Sequence, residues 1–427
     1  MNKILKYKNN LKGSFFVPGD KSISHRAVMF GSIANGTTTV HGFLTGEDCL
    51  STISCFKKLG VDIQVNDTDV TVHGKGLHGL SAPSEILDVG NSGTTMRLIS
   101  GLLCGQNFNC TLTGDASIQK RPMGRVSLPL SKMGAKMEGK MEDGKLLAPI
   151  NITGSRLTAI TYTLPVASAQ VKSAIILAGL YAKGTTVVIE PEATRNHTEI
   201  MLNYLGANIE HNGTEIICRP VNELYGKEIF VPGDISSAAY FMVAGAICQN
   251  SQITIENVGI NPTRIGIITV LENMGADITL QNKKTVCGEE TADICVKTSN
   301  LKGTVIEGDI IPKLIDEIPI IAVAAAMADG ITIIKDAQEL KVKESNRIKT
   351  VVCELKKMGV DIEETEDGMI IKGGKGIKGA VCDSYDDHRI AMSLAVAALV
   401  ADGETTITNT QCVDISFPNF FEFIERM

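Results

Sequence analysis

One arrangement of hydrophobic and polar positions recurs five times along the chain. In each copy a helical stretch ends in Leu or Met, a glycine follows, and an alternating apolar and polar pattern begins, at residues 59–63, 133–137, 205–209, 274–278 and 358–362. The five glycines are 74, 72, 69 and 84 residues apart. Glycine adopts the left-handed backbone conformation without steric cost, so it commonly ends a helix. Each copy therefore predicts a helix end and a new strand, and residues 48–59 form the clearest such helix.

A second recurring element is a turn followed by a strand rich in Thr, Ile and Val. It occurs at residues 36–40, 184–187, 330–333 and 403–407, with weaker copies near 110–112 and 253–255. Six units of about 70 residues fill the chain, each with the pattern of strand, helix, strand, helix and further strands. The predicted fold class is therefore α/β.

The third repeat divides the chain into two similar halves. The run FFVPGD at 15–20 returns as IFVPGD at 229–234, 214 residues later. We predict that the chain crosses between two domains near Val17-Pro18 and again near Val231-Pro232. One domain comprises residues 1–18 plus 232–427 and is completed by the N-terminal strand, and the other comprises residues 19–231; each holds three repeats. The last repeat is shortened and ends in a helix at 420–427.

Two glycine patterns are interpreted as turns rather than as a dinucleotide site. Residues 74–79 and 374–379 both match G-x-G-x-x-G. A dinucleotide fingerprint leads from its strand directly into a helix. The first pattern runs into Ser81-Ala82-Pro83 instead, and both occupy the same place in their repeats, so turns between strands are predicted.

Composition and charge narrow the class of protein. Hydrophobic residues make up 44% and charged residues 21%, as in globular proteins, and the longest apolar stretch, 318–328, is shorter than a membrane span requires. The net charge of −7, with 4% aromatic residues and no Trp, disfavours a nucleic-acid partner. Eleven cysteines without a C-x-x-C pair, and a first ten residues without a signal-peptide pattern, favour a reducing cytoplasm.

The segments that join a strand to the next helix carry the candidate chemistry. In the first, 19–26, a glycine turn and a Ser at the helix start place Ser22 and Arg26 on one helix face, next to backbone N–H groups that can bind an anion. The alternative is an ordinary capped surface helix with a solvated arginine. Similar polar joints occur at 88–97, 119–125, 166–173, 194–198, 316–317, 343–347 and 386–389. For Lys120 and Arg125 a surface loop remains the favoured interpretation.

Cations recur at these joints in an acidic protein: Lys21, Arg26, Arg121, Lys343, Arg347 and Arg389. If the joints face one cleft, the ligand is strongly anionic, with phosphate and carboxylate groups the natural candidates. Lys21, Asp316, Glu344 and His388 could move protons there. No metal-ligand motif, G-x-S-x-G motif or P-loop occurs, which disfavours metal, hydrolase and kinase sites.

These residues resemble the 5-enolpyruvylshikimate-3-phosphate synthase family. Six blocks carry the resemblance in order along nearly the whole chain: PGDKSISHR at 18–26, GNSGT at 90–94, RPM at 121–123, SAQVKS at 168–173, VKES at 342–345 and DDHRIAM at 386–392. The resemblance implies two domains, each of three βαβαββ repeats with buried helices, and an active site in the cleft between them. It also implies transfer of the enolpyruvyl group of phosphoenolpyruvate to the 5-hydroxyl of shikimate 3-phosphate, with release of phosphate, on the route to chorismate and the aromatic amino acids.

Roles for individual residues follow from the resemblance. Asp316 would take the proton of the 5-hydroxyl, Glu344 would handle protons at the phosphoenolpyruvate methylene, and Lys21 would contact both substrates. Shikimate 3-phosphate would be bound by Lys21, Ser22, Arg26, Ser168, Ala169, Gln170, Arg195, Asp316 and Lys343. Phosphoenolpyruvate would be bound by Lys21, Asn91, Gly93, Arg121, Gln170, Arg347, His388 and Arg389. No cofactor and no metal is implied, and a cytoplasmic monomer is expected.

Several positions depart from the commonest pattern of the family. Ala169 stands where many members have a second serine, Ile415 where they have a lysine, and Glu339 where they have an asparagine. These three, and Arg195, resemble the family's second sequence class, and the contacts of the missing lysine remain unassigned. Gly93 matches the glycine that leaves space for glyphosate in sensitive members, so inhibition by glyphosate is expected.

Two other functions remain open at this stage. The first is the related enolpyruvyl transferase that acts on UDP-N-acetylglucosamine, but that enzyme has Asn after its first lysine and a reactive loop cysteine. Here Ser22 follows Lys21, and the cysteine nearest to the Arg121 turn is Cys110. The second is a non-catalytic repeat scaffold that only binds anions or proteins, which the intact set of proton-transfer residues disfavours.

Overall fold

The computed structural model describes residues 1–427 and shows an α/β protein in two compact units. Unit 1 comprises Met1–Pro18, Pro232–Thr285 and Glu290–Met427, and unit 2 comprises Gly19–Val231 and Val286–Glu289. The short segment Val286–Glu289 departs from the sequence expectation, which assigned residues 232–427 to one domain. Its last residue explains the assignment to unit 2, because the Glu289 carboxylate pairs with His197 Nδ1 at 2.7 Å.

The elements of the first half are as follows in chain order. Unit 1 begins with β1 (Lys3–Leu5) and β2 (Lys12–Phe16). Unit 2 then contains α1 (Lys21–Ser32), β3 (Asn35–His41), α2 (Glu47–Lys58), β4 (Asp62–Asn66), β5 (Asp69–Lys75), β6 (Leu87–Asp88), α3 (Gly93–Cys104), β7 (Asn109–Thr113), α4 (Gly124–Lys132), β8 (Lys136–Glu142), β9 (Lys145–Thr153), β10 (Thr161–Thr163), α5 (Ala169–Gly179), β11 (Thr186–Ile189), α6 (His197–Tyr204), β12 (Asn208–Asn212), β13 (Glu215–Arg219) and β14 (Glu228–Phe230).

The second half returns to unit 1. It contains α7 (Ile235–Ile247), β15 (Gln252–Gly259), α8 (Gly266–Asn273), β16 (Asp277–Val286), β17 (Glu289–Lys297), β18 (Val305–Ile306), α9 (Ile318–Met327), β19 (Ile331–Ile334), α10 (Arg347–Lys357), β20 (Asp361–Glu364), β21 (Met369–Lys372), β22 (Ile377–Lys378), β23 (Val381–Asp383), α11 (His388–Ala398), β24 (Ala401–Asp402), β25 (Thr405–Thr408) and α12 (Phe420–Arg426).

Unit 2 is built from three four-stranded sheets with one plan. Their strand orders are β14-β3-β5-β4, β6-β7-β9-β8 and β10-β11-β13-β12. In each, two parallel strands are followed by an antiparallel pair. Two of the sheets follow the chain order βαβαββ directly. The third takes its first strand from β14, at the far end of the unit.

Unit 1 repeats this plan twice and then shortens it. The sheets β16-β17-β15-β2 and β18-β19-β21-β20 each have four strands, and β2, from the N-terminus, pairs in parallel with β15. The last repeat has the three-stranded sheet β1-β25-β23, in which β1 is antiparallel to β25, and the small pair β22-β24. The predicted helix at the C-terminus is α12.

The predicted glycine caps and turns are confirmed. Gly60, Gly134, Gly206, Gly275 and Gly359 all have positive φ, between 81° and 105°, and each precedes a strand. Both G-x-G-x-x-G patterns lie outside helices, since the first begins in the last two residues of β5 and the second contains β22.

Each unit has its own hydrophobic core, which its helices fill. In unit 2 the core includes every apolar residue of α5 from Val171 to Ala178, and in unit 1 it includes nearly the whole of α7 and α9. Strands contribute alternate residues: in β5, Val70 and Val72 are buried while Asp69 is exposed. No helix is long and apolar enough to span a bilayer.

Candidate active-site clusters

The first helix start of unit 2 places Lys21 and Ser22 in the opening turn of α1. The cap is Asp20, whose carboxylate accepts a hydrogen bond from the Ile23 N–H at 2.9 Å. Ser22 lies within the turn and does not cap the helix. Its carbonyl oxygen accepts a hydrogen bond from Arg26 Nη1. Lys21 Nζ lies 2.9 Å from Asp48 Oδ2, at the start of α2. The ammonium is thus held by a carboxylate at the point where the sequence predicted an anion site.

Arg26 is buried and its guanidinium is held on three sides. Nε donates to Thr198 Oγ1 at 2.8 Å, Nη2 to Ser173 Oγ at 3.1 Å and Nη1 to the Ser22 carbonyl at 2.9 Å. Burial lowers the pKa of Arg26 to about 10, with Glu199 acting in the opposite direction. The group therefore stays charged near neutral pH, as an anion-binding residue must.

The second helix start is organised around Gly93. Ser92 caps α3 by accepting from the Thr95 N–H at 3.1 Å. Arg97 Nη1 lies 3.3 Å from the Gly93 carbonyl and donates at 2.8 Å to Oε1 of Gln170, whose Nε2 donates to Thr94 Oγ1 at 3.1 Å. Gln170 is thereby oriented from both ends of its amide.

Arg121 and Asn91 complete this part of the cluster. Arg121 Nη2 donates to Asn91 Oδ1 at 3.3 Å, and Asn91 Nδ2 donates to Asp115 Oδ2 at 2.7 Å. A Cβ added at Gly93 would lie 2.8 Å from Arg97 Nη1 and 3.1 Å from Arg121 Nη1. The missing side chain of Gly93 therefore allows two guanidinium groups to approach its backbone closely, and two neighbouring cations suit a small anion.

The third helix start of unit 2 carries Ser168 and Ala169. Ser168 caps α5, and its hydroxyl accepts from the Val171 N–H at 3.5 Å. Arg195 is half-buried in the turn before α6. Its positive charge acts to lower the pKa of Arg26, so the two guanidinium groups are near enough to interact. Ser22, Arg26, Ser168, Gln170 and Arg195 thus lie at helix starts of one unit.

In unit 1 the central group is Arg347, at the start of α10. It is 2% exposed, and its Nε and Nη2 donate to the two carboxylate oxygens of Asp387 at 2.8 and 3.2 Å. Nη1 donates to Asp316 Oδ1 at 3.3 Å and Nη2 to Glu344 Oε2 at 2.5 Å. Although burial opposes the charge, Asp387 and Glu344 hold the pKa of Arg347 above its usual range.

Asp316 and Glu344 share Arg347 but differ in their other partners. Asp316 Oδ1 also accepts from Lys343 Nζ at 3.2 Å. Lys343 lies before α10 rather than within it, although it reaches the same carboxylate as Arg347 does. The two predicted proton-transfer carboxylates of this unit are therefore both within hydrogen-bond distance of one guanidinium.

Arg389 and His388 begin α11, which Asp387 caps by accepting from the Arg389 N–H at 2.9 Å. Arg389 is 7% exposed. Burial disfavours its charge, but Tyr240, Asp316, Glu317 and Asp234 hold its pKa above the usual range. Asp387 therefore orients Arg347 through its side chain and fixes the start of the helix that carries Arg389.

Sequence reasoning did not assign roles to three residues of these clusters: Asp48, Arg97 and Asp387. A signal existed for Arg97. It follows Gly93 by four residues, as Arg26 follows Ser22, and both arginines donate to the carbonyl four residues earlier. Asp48 and Asp387 lie far along the chain from their partners Lys21 and Arg347, and only the fold brings each pair together.

The positions that depart from the common family pattern differ in their surroundings. Ile415 packs against the core of unit 1 and supplies no cation. Glu339 lies in a short 3₁₀ turn before Lys343. Across residues 1–427, no group of three or more His, Cys, Asp or Glu side chains is arranged to hold a metal ion.

Comparison with known proteins identifies the class and the family. The model of the EPSP synthase family, described as 3-phosphoshikimate 1-carboxyvinyltransferase, matches residues 5–424. A 3-phosphoshikimate 1-carboxyvinyltransferase of Thermoanaerobacter sp. (strain X514) is 59% identical, with 99% of each chain covered, and one of Bacillus cereus (strain 03BB102) is 57% identical, with 98% of this chain and 97% of the relative covered. The solved EPSP synthase of Acinetobacter baumannii superposes with a TM-score of 0.89 at 49% identity, covering 100% of this chain and 97% of that one.

The fold and the clusters thus define a transferase built from βαβαββ repeats, with charged helix starts that suit anionic substrates. The chain belongs to the EPSP synthase family. It is an enzyme of carboxyvinyl transfer in aromatic amino acid biosynthesis, as the sequence resemblance implied.

Proposed function

We propose that the helix-start clusters of both units bind the two substrates of the family reaction, phosphoenolpyruvate and shikimate 3-phosphate. Shikimate 3-phosphate is assigned to Lys21, Ser22, Arg26, Ser168, Ala169, Gln170, Arg195, Asp316 and Lys343. Phosphoenolpyruvate is assigned to Lys21, Asn91, Gly93, Arg121, Gln170, Arg347, His388 and Arg389. Both substrates are polyanions, and buried, always-charged arginines with fixed donors are suited to phosphate and carboxylate groups.

The chemistry follows from the two carboxylates of unit 1. Asp316 accepts the proton of the 5-hydroxyl of shikimate 3-phosphate while the hydroxyl oxygen bonds to C2 of phosphoenolpyruvate. C3 of phosphoenolpyruvate gains a proton in a step assigned to Glu344. The resulting tetrahedral intermediate loses a proton from C3 and expels phosphate, which restores the double bond. The reaction involves no net oxidation or reduction, and phosphoenolpyruvate is already an activated donor, so no cofactor is needed. Lys21, assigned to both substrates, would neutralise charge on each.

One observation carries this assignment: Asp316, Glu344 and Asp387 converge on the buried guanidinium of Arg347. Asp387 holds that arginine by two hydrogen bonds, so an incoming anion has to compete only with Asp316 and Glu344. Displacement of these two would leave ionised carboxylates next to the bound substrate, where general acid and base catalysis requires them.

The direct test is phosphate release by the purified chain. We expect inorganic phosphate to appear only when phosphoenolpyruvate and shikimate 3-phosphate are both present, in one-to-one amount with the enolpyruvyl product measured by mass spectrometry. A parallel reaction with UDP-N-acetylglucosamine as acceptor tests the related transferase. Release with that acceptor and not with shikimate 3-phosphate would overturn the assignment.

Inhibition by glyphosate is also proposed, because Arg97 and Arg121 both approach Gly93 closely. Glyphosate carries a phosphonate and a carboxylate, which suit two neighbouring guanidinium groups. We expect turnover to fall in millimolar glyphosate and to recover as phosphoenolpyruvate is raised. Undiminished turnover under these conditions would contradict the proposal.

A cytoplasmic monomer remains part of the proposal. The eleven cysteines without a C-x-x-C pair support a reducing compartment. Light scattering on the purified chain tests the oligomeric state, and a mass of twice 45.6 kDa would contradict a monomer.

A further inference from the structure

A buried ionic group lies behind Arg26, one of the cations that are assigned to shikimate 3-phosphate. Lys172, in α5, is fully buried, and its Nζ lies 2.8 Å from Glu199 Oε1, 3.0 Å from Glu190 Oε2 and 3.3 Å from the Thr194 carbonyl. None of these residues is assigned a substrate contact. Two carboxylates and one ammonium are costly to bury unless their geometry is fixed. The group therefore imposes a defined spacing on the segments that carry it.

Those segments are the ones that hold Arg26. Ser173 follows Lys172 in α5, and Thr198 precedes Glu199 in α6, so the Lys172 to Glu199 ion pair joins the same two helices as the two hydroxyls do. Ser173 Oγ and Thr198 Oγ1 lie 2.7 Å apart. Both accept hydrogen bonds from Arg26. The ion pair thus fixes the separation at which two hydroxyls can hold one guanidinium.

The hydrogen bonds to Arg26 leave a defined set of donors. Of its five N–H groups, three are used by Thr198, Ser173 and the Ser22 carbonyl. One N–H on each terminal nitrogen remains for an anion, the arrangement that a phosphate oxygen pair requires. A small rotation of α6 against α5 would break the Thr198 bond and redirect both of these donors.

The same ionic group also fixes the turn that carries Arg195. Glu190 accepts hydrogen bonds from the Thr194 hydroxyl and, at 3.4 Å, from the Thr194 N–H. Lys172 binds the carbonyl of the same residue. Arg195 is the next residue in the chain, so its position also depends on Lys172.

We propose that Lys172 is a positioning residue for shikimate 3-phosphate, which acts by holding α5, α6 and the Thr194 turn so that Arg26 and Arg195 are oriented toward that substrate. This role rests on the proposed function, in which those two arginines bind that substrate. The proposal predicts that Lys172 acts through Thr198 and affects the binding of shikimate 3-phosphate but not that of phosphoenolpyruvate.

The test measures kcat and the KM of each substrate for three variants and for one control. Thr198→Val keeps the side-chain volume but removes the acceptor of Arg26 Nε, and we expect the KM for shikimate 3-phosphate to rise about ten-fold, the usual effect of losing a hydrogen bond to a charged group. Lys172→Met should raise it by at least as much, and Lys172→Arg by less. The KM for phosphoenolpyruvate should stay within about three-fold of the parent value in all three.

Lys357→Met is the control. Lys357 Nζ also pairs with a fully buried glutamate, Glu354, at 2.8 Å, but the lysine side chain is 43% exposed and lies in unit 1, without a contact to an assigned residue. We expect this variant to lower the melting temperature without changing either KM. If Lys172→Met behaves in the same way, Lys172 is only structural and the proposal is wrong.

A double variant tests whether Lys172 acts through Thr198. If it does, Lys172→Met combined with Thr198→Val should raise the KM for shikimate 3-phosphate little more than the larger single effect, whereas independent roles would multiply. Should Lys172→Met fail to fold, Thr198→Val and Lys172→Arg decide, and an unchanged KM in both would overturn the proposal. An unchanged KM in Arg26→Ala would instead contradict the substrate assignment itself.

Discussion

The candidate catalytic carboxylates of this enzyme are both paired with cations. Asp316 contacts Lys343 and Arg347, and Glu344 contacts Arg347. Under the proposed substrate assignment, an anion bound to Arg347 competes with both carboxylates for this guanidinium. At the scale of the residue, the proposed substrate site and the proposed proton-transfer groups therefore share one cation.

Replacement of either carboxylate by its amide should separate catalysis from binding. For Asp316→Asn and Glu344→Gln we expect kcat to fall by about 10² to 10⁴, because a positioned acid or base contributes that much, while substrate affinity changes far less. Steady-state kinetics with phosphate detection measures the first quantity and calorimetric titration the second.

The control is Glu307→Gln, which removes another carboxylate of unit 1 from an ion pair. Glu307 pairs with Lys335 at 2.8 Å, and both side chains are half exposed. This variant should keep the parental kcat. A full rate in Asp316→Asn or Glu344→Gln would rule out the corresponding role.

Gly93→Ala should act on one substrate. The added Cβ would lie 2.8 Å from Arg97 Nη1 and 3.1 Å from Arg121 Nη1, so both guanidinium groups must shift, which flexible side chains can do without unfolding the protein. We expect a higher KM for phosphoenolpyruvate, weaker inhibition by glyphosate and an unchanged melting temperature. A change in the KM for shikimate 3-phosphate alone would contradict the assignment of Gly93.

At the scale of the element, several of the helix starts that carry assigned residues share one construction. In these helices the side chain just before the first turn accepts a hydrogen bond from a backbone N–H of that turn. The residues that do so are Asp20, Ser92, Ser168, Asn346 and Asp387. The cap places the helix start at a defined residue, and the cations Lys21, Arg347 and Arg389 lie within the first turn that follows.

The elements were largely predictable, and the pairings between them were not. Glycine caps and the alternation of buried residues are local, so the sequence pattern predicted the helix ends at Gly60 and Gly134 and the repeats around them. The contact of Lys21 with Asp48, 27 residues later, and that of Arg347 with Asp387, 40 residues later, depend on how helices pack. Nothing in the local pattern of either residue indicates its partner.

The cap glycines give a stability prediction with an internal control. Gly134 has φ of +98°, which a residue with a Cβ rarely adopts, and a Cβ there would meet only the Arg156 carbonyl at 3.5 Å. Gly134→Ala should therefore cost about 1–2 kcal/mol of unfolding free energy through backbone strain alone. Gly124→Ala, in the first turn of α4 with open space around it, should be neutral or slightly stabilising.

Urea unfolding of both variants measures these free energies. An equal loss in the two variants would show that the positive φ of Gly134 is not the cause.

At the scale of the whole molecule, six repeats of one plan produce two cores and two sets of charged helix starts. The repeats were visible as glycine and Thr-rich patterns, because each repeat must end its helices and begin its strands in the same way. The place of the segment Val286–Glu289 in unit 2 was not visible, because it depends on long-range contacts such as Glu289 with His197 and Cys287 with the Glu228 carbonyl. The repeated FFVPGD and IFVPGD runs predicted that the N-terminal strand β2 completes unit 1, whereas the pairing of β14 with β3 was not predicted.

Stability of the whole molecule should depend on pH through His25. This side chain is fully buried, and burial, with Lys21 and Arg26 nearby, holds its pKa well below the usual 6.5. Folded protein therefore keeps His25 neutral while the unfolded chain takes up a proton below about pH 6.5. Since the unfolded state binds more protons there, the free energy of unfolding falls as the pH falls, with a slope of up to about 1.4 kcal/mol per pH unit from this one group.

His41 provides a control of opposite sign. A hydrogen bond to Asp69 raises its pKa, so the folded state binds the proton more tightly and His41 adds stability that is lost as the pH rises. In urea titrations between pH 5 and 8, His25→Gln should flatten the loss of stability on the acid side, and His41→Gln should make it steeper. Because the readout is the slope with pH, a uniform loss of stability in His25→Gln does not obscure it, and an acid slope equal to that of the parent would show that His25 is not the group responsible.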